Sequence, residues 1–211
     1  MPIRTHKGVA MEAIAVEGRA GHSSDPRLGA NAIEGMHAVI AEFLSMREEL
    51  TKQRNDAFDP PFATMNLGHV HGGDNPNRIC GHCELHYDVR LLPGMDVNAL
   101  RDALTSRLAR RLEGSEFKLA LRALNQAVPA FETPADSAIA RAVEEITGHK
   151  AQSASFATEA PFFAQRGIET VVCGPGDITC AHQPDEFLLR ERIAPARDML
   201  NKLIHRFCIA D

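Results

Sequence analysis

Phe62-Ala63-Thr64-Met65-Asn66-Leu67-Gly68-His69-Val70-His71, the turn Gly72-Gly73-Asp74-Asn75-Pro76-Asn77, and the run from Ile79 to Leu91 form the stretch on which the fold turns. The outer runs read as strands and the middle is dense in turn formers, so a hairpin is expected. On the second strand, alternation puts Cys83, Leu85, Tyr87, Val89 and Leu91 on one side and His82, Glu84, His86, Asp88 and Arg90 on the other. The same alternation sends Cys80 and Cys83 to opposite faces, which argues against a shared metal, and one CxxC without a second pair is a weak signal. His69 and His71 share a face of the partner strand. With the histidines of the second strand they could bind a transition metal, although solvated sheet faces carry such residues routinely.

Working towards the N-terminus, Val9 to Ala20 reads as a strand ending at Gly21. Asp25-Pro26 then supplies a helix cap and a first-turn proline. Ile33, Met36, Ile40, Phe43 and Leu44 recur at helical spacing to about Leu50. Towards the C-terminus, Pro93-Gly94 breaks the chain, Val97, Leu100, Leu104, Leu108 and Leu112 form a helical stripe, and Phe117 to Leu121 is a short strand. Residues 8–122 therefore follow the order β-α-β-β-α-β, the α+β ferredoxin-like arrangement of a four-stranded antiparallel sheet with two helices on one face. After Pro129 the pattern changes. Helices are expected through Ile139, Val143 and Ile146, near Glu159 to Gln165, and through Ile193, Leu200, Ile204 and Phe207, with one buried strand, Thr170 to Cys173. One strand among three helices does not make a parallel-sheet domain, so 123–211 is expected to be an incomplete α/β segment.

Composition narrows the function. With 211 residues, 44% of them hydrophobic, the chain can build one large domain or two small ones, and two are expected. No apolar run approaches the roughly 20 residues of a membrane span, and Met1 to Lys7 lacks the apolar core of a signal peptide, so a cytoplasmic protein is expected. A net charge of −5 with interspersed signs leaves no basic stripe, so neither nucleic acid nor membrane is an expected partner. Five cysteines, an odd number, argue for reduced thiols.

Two segments are candidates for chemistry. Gly174-Pro175-Gly176-Asp177 follows the expected buried strand, with Ala181-His182-Gln183-Pro184-Asp185-Glu186 close behind. Ligands collect beyond the carboxyl ends of strands in open α/β sheets. His182 can be a metal ligand oriented by Asp185 or Glu186; the alternative is a plain turn followed by a helix start. In Gly21-His22-Ser23-Ser24-Asp25-Pro26, His22 lies between a strand end and a helix start, where it could donate a hydrogen bond to a developing oxyanion or be an ordinary loop histidine.

Taken together, these motifs carry a resemblance. Gly21 to Pro26 with Asn31-Ala32-Ile33, Asn66-Leu67-Gly68 with Gly72-Gly73-Asp74 and Asn77-Arg78-Ile79, and Asp88-Val89-Arg90 with Pro93-Gly94 resemble the acetylornithine deacetylase branch of the M20 metallopeptidases. Thr158-Glu159-Ala160-Pro161-Phe162, Gly174 to Gly176 and Ala181 to Glu186 continue the pattern in the same order. The resemblance implies a catalytic domain that holds zinc, two ions per full-length subunit, with other divalent metals such as cobalt as substitutes. It also implies a smaller lid and dimerisation domain at 8–122, a hinge at 1–7, the C-terminal part of the catalytic domain at 123–211, and a homodimer through the lid. By the same resemblance His182 is the last ligand of one zinc, and His22 reaches a partner subunit's active site to stabilise the tetrahedral intermediate. Asn77, Arg90 and Gly174, Pro175 and Gly176 then hold the substrate's carboxylate or acyl group. The implied reaction of the full-length protein is hydrolysis of N2-acetylornithine, or a related N-acyl amino acid, in arginine biosynthesis, by a metal-bound water with a glutamate moving the proton. The family's other metal ligands and that glutamate lie upstream of the lid and have no counterpart in this chain, which is therefore expected to be inactive alone. Desuccinylases and carboxypeptidases share the architecture, and a non-catalytic dimerisation or binding module is the alternative from another class.

Overall fold

The computed structural model of the chain describes residues 1–209. In chain order the strands are β1 (Ile3–His6), β2 (Gly8–Glu17), β3 (Gly21–His22), β4 (Thr64–Gly72), β5 (Arg78–Ile79), β6 (His82–Leu91), β7 (Lys118–Ala123), β8 (Phe131–Glu132) and β9 (Gln152–Ala154). The helices are α1 (Ala32–Leu50), α2 (Val97–Arg111), α3 (Ala138–Thr147), α4 (Ala160–Ala164) and α5 (Ile193–Ile204). The chain divides into two units, Lys7–Ala130 and Met1–His6 together with the chain from Phe131 onward.

The Lys7–Ala130 unit is a four-stranded sheet in the order β4-β6-β2-β7, antiparallel at every step. That is the α+β arrangement read from the sequence. Its centre is the β2–β6 ladder, in register from Gly8↔Leu91 to Glu17↔His82. Helices α1 and α2 supply Met36, Val39, Phe43, Leu104 and Leu108 to a core with Ile14, Val16, Leu85 and Val89 from the strands. The helix begins later than expected. Asp25 caps only a 3-10 turn, Pro26–Leu28, and Asn31 caps α1 by accepting from the Ile33 N–H. Gly35 lets α1 lie close on the sheet, since a Cβ there would sit 2.8 Å from Val16 Cγ1.

A bulge between Leu67 and His69 shifts the alternation of β4. Leu67 packs on the core, whereas His69 and His71, which strict alternation would place on Leu67's side, stand opposite His86 and Glu84 on the other face. β4 is an edge strand, and Val70 on it is 55% exposed.

In the second unit, β1 lies between β8 and β9, antiparallel to the first and parallel to the second. The expected hinge at 1–7 is thus largely a strand. The ring of His6, fully buried, packs edge-on against Phe131 at 4.6 Å, and its Nε2 accepts from the Thr158 N–H at 3.1 Å. Thr170 to Cys173, expected as a buried strand, is only a partly buried segment with a single bridge from Val172 to Ile3. Ile193, Leu200 and Ile204 on α5, with Phe207 beyond it, are all 46% exposed or more. Their 7-4-3 spacing puts them on one open apolar face.

α2 is fastened to the sheet by a buried polar group. The Glu12 carboxylate, side chain 4% exposed, accepts from Tyr87 Oη at 2.6 Å and from Arg101 Nε at 3.0 Å. Burial, then the Glu12 carboxylate, push the Tyr87 hydroxyl far up from its ordinary pKa, so it stays a donor. Removing the cation would leave a buried, under-satisfied carboxylate. Arg101→Ala should therefore lower the stability of the Lys7–Ala130 unit by about 2 kcal/mol in urea unfolding, with the apolar triple replacement Glu12→Leu/Tyr87→Phe/Arg101→Leu, which leaves no buried polar group unpaired, costing less than the single change.

Candidate active site

His22 sits on β3, which pairs antiparallel with β5 through Gly21↔Ile79 and His22↔Arg78. The Ser23 N–H donates to the Asn77 carbonyl at 3.1 Å, so His22 and Asn77 are brought to one end of the sheet. Gly21 is required there, because a Cβ would sit 2.8 Å from the Leu28 carbonyl oxygen. The Asp25 N–H closes a turn on the His22 carbonyl at 3.3 Å. Asp25 holds Arg27 through Nε and Nη2, each at 2.8 Å, and that side-chain hydrogen bonding draws its carboxyl below the ordinary carboxylate range. The His22 ring is exposed, with Nδ1 turned back onto Ser24 at 2.7 Å from Oγ.

Arg90 lies near the opposite end of β6, paired across the sheet with Val9 and Thr64. From His82 to Arg90 the strand spans roughly 26 Å at its usual rise, so Arg90 does not share a site with His22 and Asn77 of the same copy. Its Nε donates to Asp88 Oδ1 at 2.9 Å, while Asp88 Oδ2 is buried without a hydrogen-bond partner.

In the second unit, Gly174, Pro175 and Gly176 form an open loop, and a Cβ on either glycine would meet nothing within 4 Å. Asp177 caps the turn Ile178–Cys180. Hydrogen bonds from the Thr179 hydroxyl and N–H, assisted by Arg192, hold its carboxyl below the ordinary range. Gly176, Asp177, Cys180, Glu186, Phe187 and Leu188 line a cavity of about 380 Å³. His182 adopts φ 61°, a left-handed conformation uncommon for a residue with a side chain. Its N–H donates to Glu186 Oε2 at 3.1 Å, so Glu186 holds the His182 backbone. No helix starts at Gln183-Pro184-Asp185. Among the described residues no group of three or more His, Cys, Asp or Glu side chains could hold a metal ion, so these side chains do not by themselves fit a catalytic zinc.

The histidine-rich hairpin is committed elsewhere. His82 contacts Glu17 at 2.7 Å and His86 contacts Glu84 at 2.5 Å. Glu84 also accepts from Arg122 at 2.9 Å. Cys80 and Cys83 do not face opposite ways: both are buried in the same core, because Cys80 and Gly81 fall between β5 and β6. Burial, then Cys80, push the Cys83 thiol up.

Residues 4–116 match the M20 peptidase dimerisation domain, and the chain belongs to that family of hydrolases. It is similar to the acetylornithine deacetylase of Edwardsiella ictaluri (strain 93-146), 46% identical over 208 residues, which are 98% of this chain and 54% of that protein. Among solved structures it resembles the aminopeptidase PepT of Bacillus cereus at 17% identity and TM-score 0.72, covering 96% of this chain and 52% of that one. It also resembles human carnosine dipeptidase 1 at 12% identity and TM-score 0.65, covering 95% and 56%. The chain thus spans about half the length of these relatives. M20 peptidases are generally metal-dependent, and among the described residues no helix is long and apolar enough to cross a membrane.

Thiol chemistry tests the packing of the hairpin. In the native chain a disulfide reagent should label Cys208, which is exposed, while Cys80 and Cys83, 6% and 2% exposed, should react only on unfolding. Fast labelling of either buried thiol would contradict the packing described.

Proposed function

We propose that this chain carries the lid, dimerisation surface and C-terminal part of the catalytic domain of an enzyme that hydrolyses N-acyl amino acids, with N2-acetylornithine as substrate and acetate and ornithine as products, in cytoplasmic arginine biosynthesis. The observation that carries the reading is the placing of His22 with Asn77 beyond the His82 end of β6 and of Arg90 near its other end, roughly 26 Å from His82 along the strand. Groups so far apart act on one small substrate only if they come from two copies, which is the arrangement a dimerisation domain can supply.

In this reading Arg90 of one copy holds the substrate's carboxylate, for which a planar guanidinium is suited. His22 and Asn77 of the other donate hydrogen bonds to the oxyanion that forms as the amide carbonyl becomes tetrahedral. Gly174, Pro175 and Gly176 leave room for the acyl group beside His182. His182 is the single proposed zinc ligand on this chain, and a catalytic zinc takes three protein ligands, so the chain alone should neither bind zinc tightly nor turn over. The open apolar face of α5 supports the same reading, as a surface that further catalytic-domain residues would cover.

The homodimer is proposed to form through the edge strand β4 and helix α1. One edge of β4 is unpaired in the sheet, an edge ready to accept a second strand. Val70 beside it is 55% exposed and Ile33 at the start of α1 is 48% exposed.

Mixing the folded chain with the N-terminal half of the Edwardsiella relative and zinc should restore hydrolysis of N-acetylornithine; two folded, associated halves with no turnover would favour the non-catalytic binding module. In the reconstituted enzyme His22→Ala should lower kcat about 100-fold with metal content unchanged, and equal loss of both would remove the oxyanion role. For the dimer, Val70→Glu should convert the chain to a monomer by light scattering, and an unaltered dimer would move the interface off β4.

A further inference from the structure

We propose that Ser24 is a positioning residue that fixes the His22 ring as the neutral tautomer with its proton on Nε2. The Ser24 backbone N–H donates to His22 Nδ1 at 3.2 Å. An N–H group can only donate, so Nδ1 must present its lone pair, and in the neutral ring the proton is then on Nε2. With Nδ1 an acceptor, the Ser24 hydroxyl at 2.7 Å donates to the same nitrogen. Moving the proton to Nδ1 would set two N–H groups against each other and lose the Ser24 backbone bond, would reverse the hydroxyl contact so that Ser24 Oγ accepts, and would leave a lone pair on Nε2.

The surrounding loop holds this geometry. The turn His22 to Asp25 is closed by the Asp25 N–H on the His22 carbonyl, the Ser23 N–H is tied to Asn77, and the Leu28 N–H donates to the Asp25 carbonyl at 3.0 Å. His22 is exposed on β3 and both hydrogen bonds of its ring are at Nδ1, which leaves its Nε2–H as the ring's donor not taken up by its own loop. For the oxyanion role this tautomer is the competent one, because a lone pair on Nε2 would repel the developing charge instead of donating to it. The catalytic side of the inference rests on the role proposed for His22, but the tautomer does not.

The deciding measurement is a long-range proton–nitrogen NMR spectrum of the full chain at pH 8, with the His22 ring assigned by its loss in His22→Gln. The expected pattern is a protonated Nε2 and an unprotonated Nδ1. In Ser24→Ala, which keeps the N–H and loses the hydroxyl, the Nδ1 resonance should move towards that of a less hydrogen-bonded nitrogen, and Ser24→Thr should return it. A proton on Nδ1, or an Nδ1 resonance unmoved in Ser24→Ala, would overturn the proposal. In the reconstituted enzyme Ser24→Ala should lower kcat about 2- to 10-fold at unchanged KM, a smaller loss than His22→Ala causes. Full activity in His22→Ala, with the NMR result as expected, would refute the oxyanion role and leave the tautomer assignment standing, so the two failures are separable.

Discussion

The β2–β6 ladder is the constraint from which the rest of the Lys7–Ala130 unit follows. From Gly8↔Leu91 to Glu17↔His82 the two strands run in unbroken register, and a one-residue slip of β2 would turn Ile14 and Val16 together away from the core face that Leu85 and Val89 of β6 still occupy. The ladder also sets where the chemistry can be. Beyond its Glu17–His82 end the chain leads into the β3–β5 pair that carries His22 and Asn77, and near its other end stands Arg90.

Such a frame holds only if α1 and α2 stay seated on one face. α1 is seated by shape, with Gly35 admitting Val16 and Phe117 where a side chain would collide. α2 fully buries only Leu104 and Leu108, with Val97, Leu100 and Leu112 partly buried against the same core, and it adds a polar hold through Arg101, Glu12 and Tyr87. A buried carboxylate is costly unless its oxygens are occupied, so this group specifies the position of α2 more than it adds stability. The fully buried His6 works in a similar way in the other unit, tying β1 to the Thr158 segment through a lone pair that only a donor can satisfy.

The Lys7–Ala130 unit was legible in the sequence because its elements are long enough to show a period. The ten-residue β6 and the nineteen-residue α1 each display two or more repeats of their spacing, and the β-α-β-β-α-β order followed from them. In the second unit the three helices showed in the spacing but the sheet did not: β8 has two residues and β9 three, too few to alternate, so β1 and its two partners gave no strand signal. Local irregularities were hidden as well. The bulge after Leu67 and the break at Cys80-Gly81 each interrupt alternation at one residue, which moved His69 and His71 to the outer face and brought both cysteines into the core. At the candidate site His22, Asn77, Arg90 and His182 were named from motifs, but Ser24's hold on His22 and Glu186's hold on the His182 backbone depend on turn geometry that spacing does not encode.

The two ends of the sheet have different physical characters, and that difference bears on how a shared site would work. The His22 end is a short ladder and a turn tied by backbone hydrogen bonds and exposed to solvent, suited to reaching outward with a donor whose direction is set before anything binds. At the Arg90 end a guanidinium lies inside a ten-residue strand, steadied by Asp88, whose second oxygen is buried and unpaired. An arginine placed there moves with the sheet rather than with a loop. If one substrate is held by Arg90 of one copy and by His22 of the other, the distance between the two groups is set by how the sheets associate, not by any hinge within the unit. Under that arrangement the pairing of lids is part of the site's geometry, and a change that loosened the interface by an ångström would weaken the oxyanion contact while leaving every residue of the site in place.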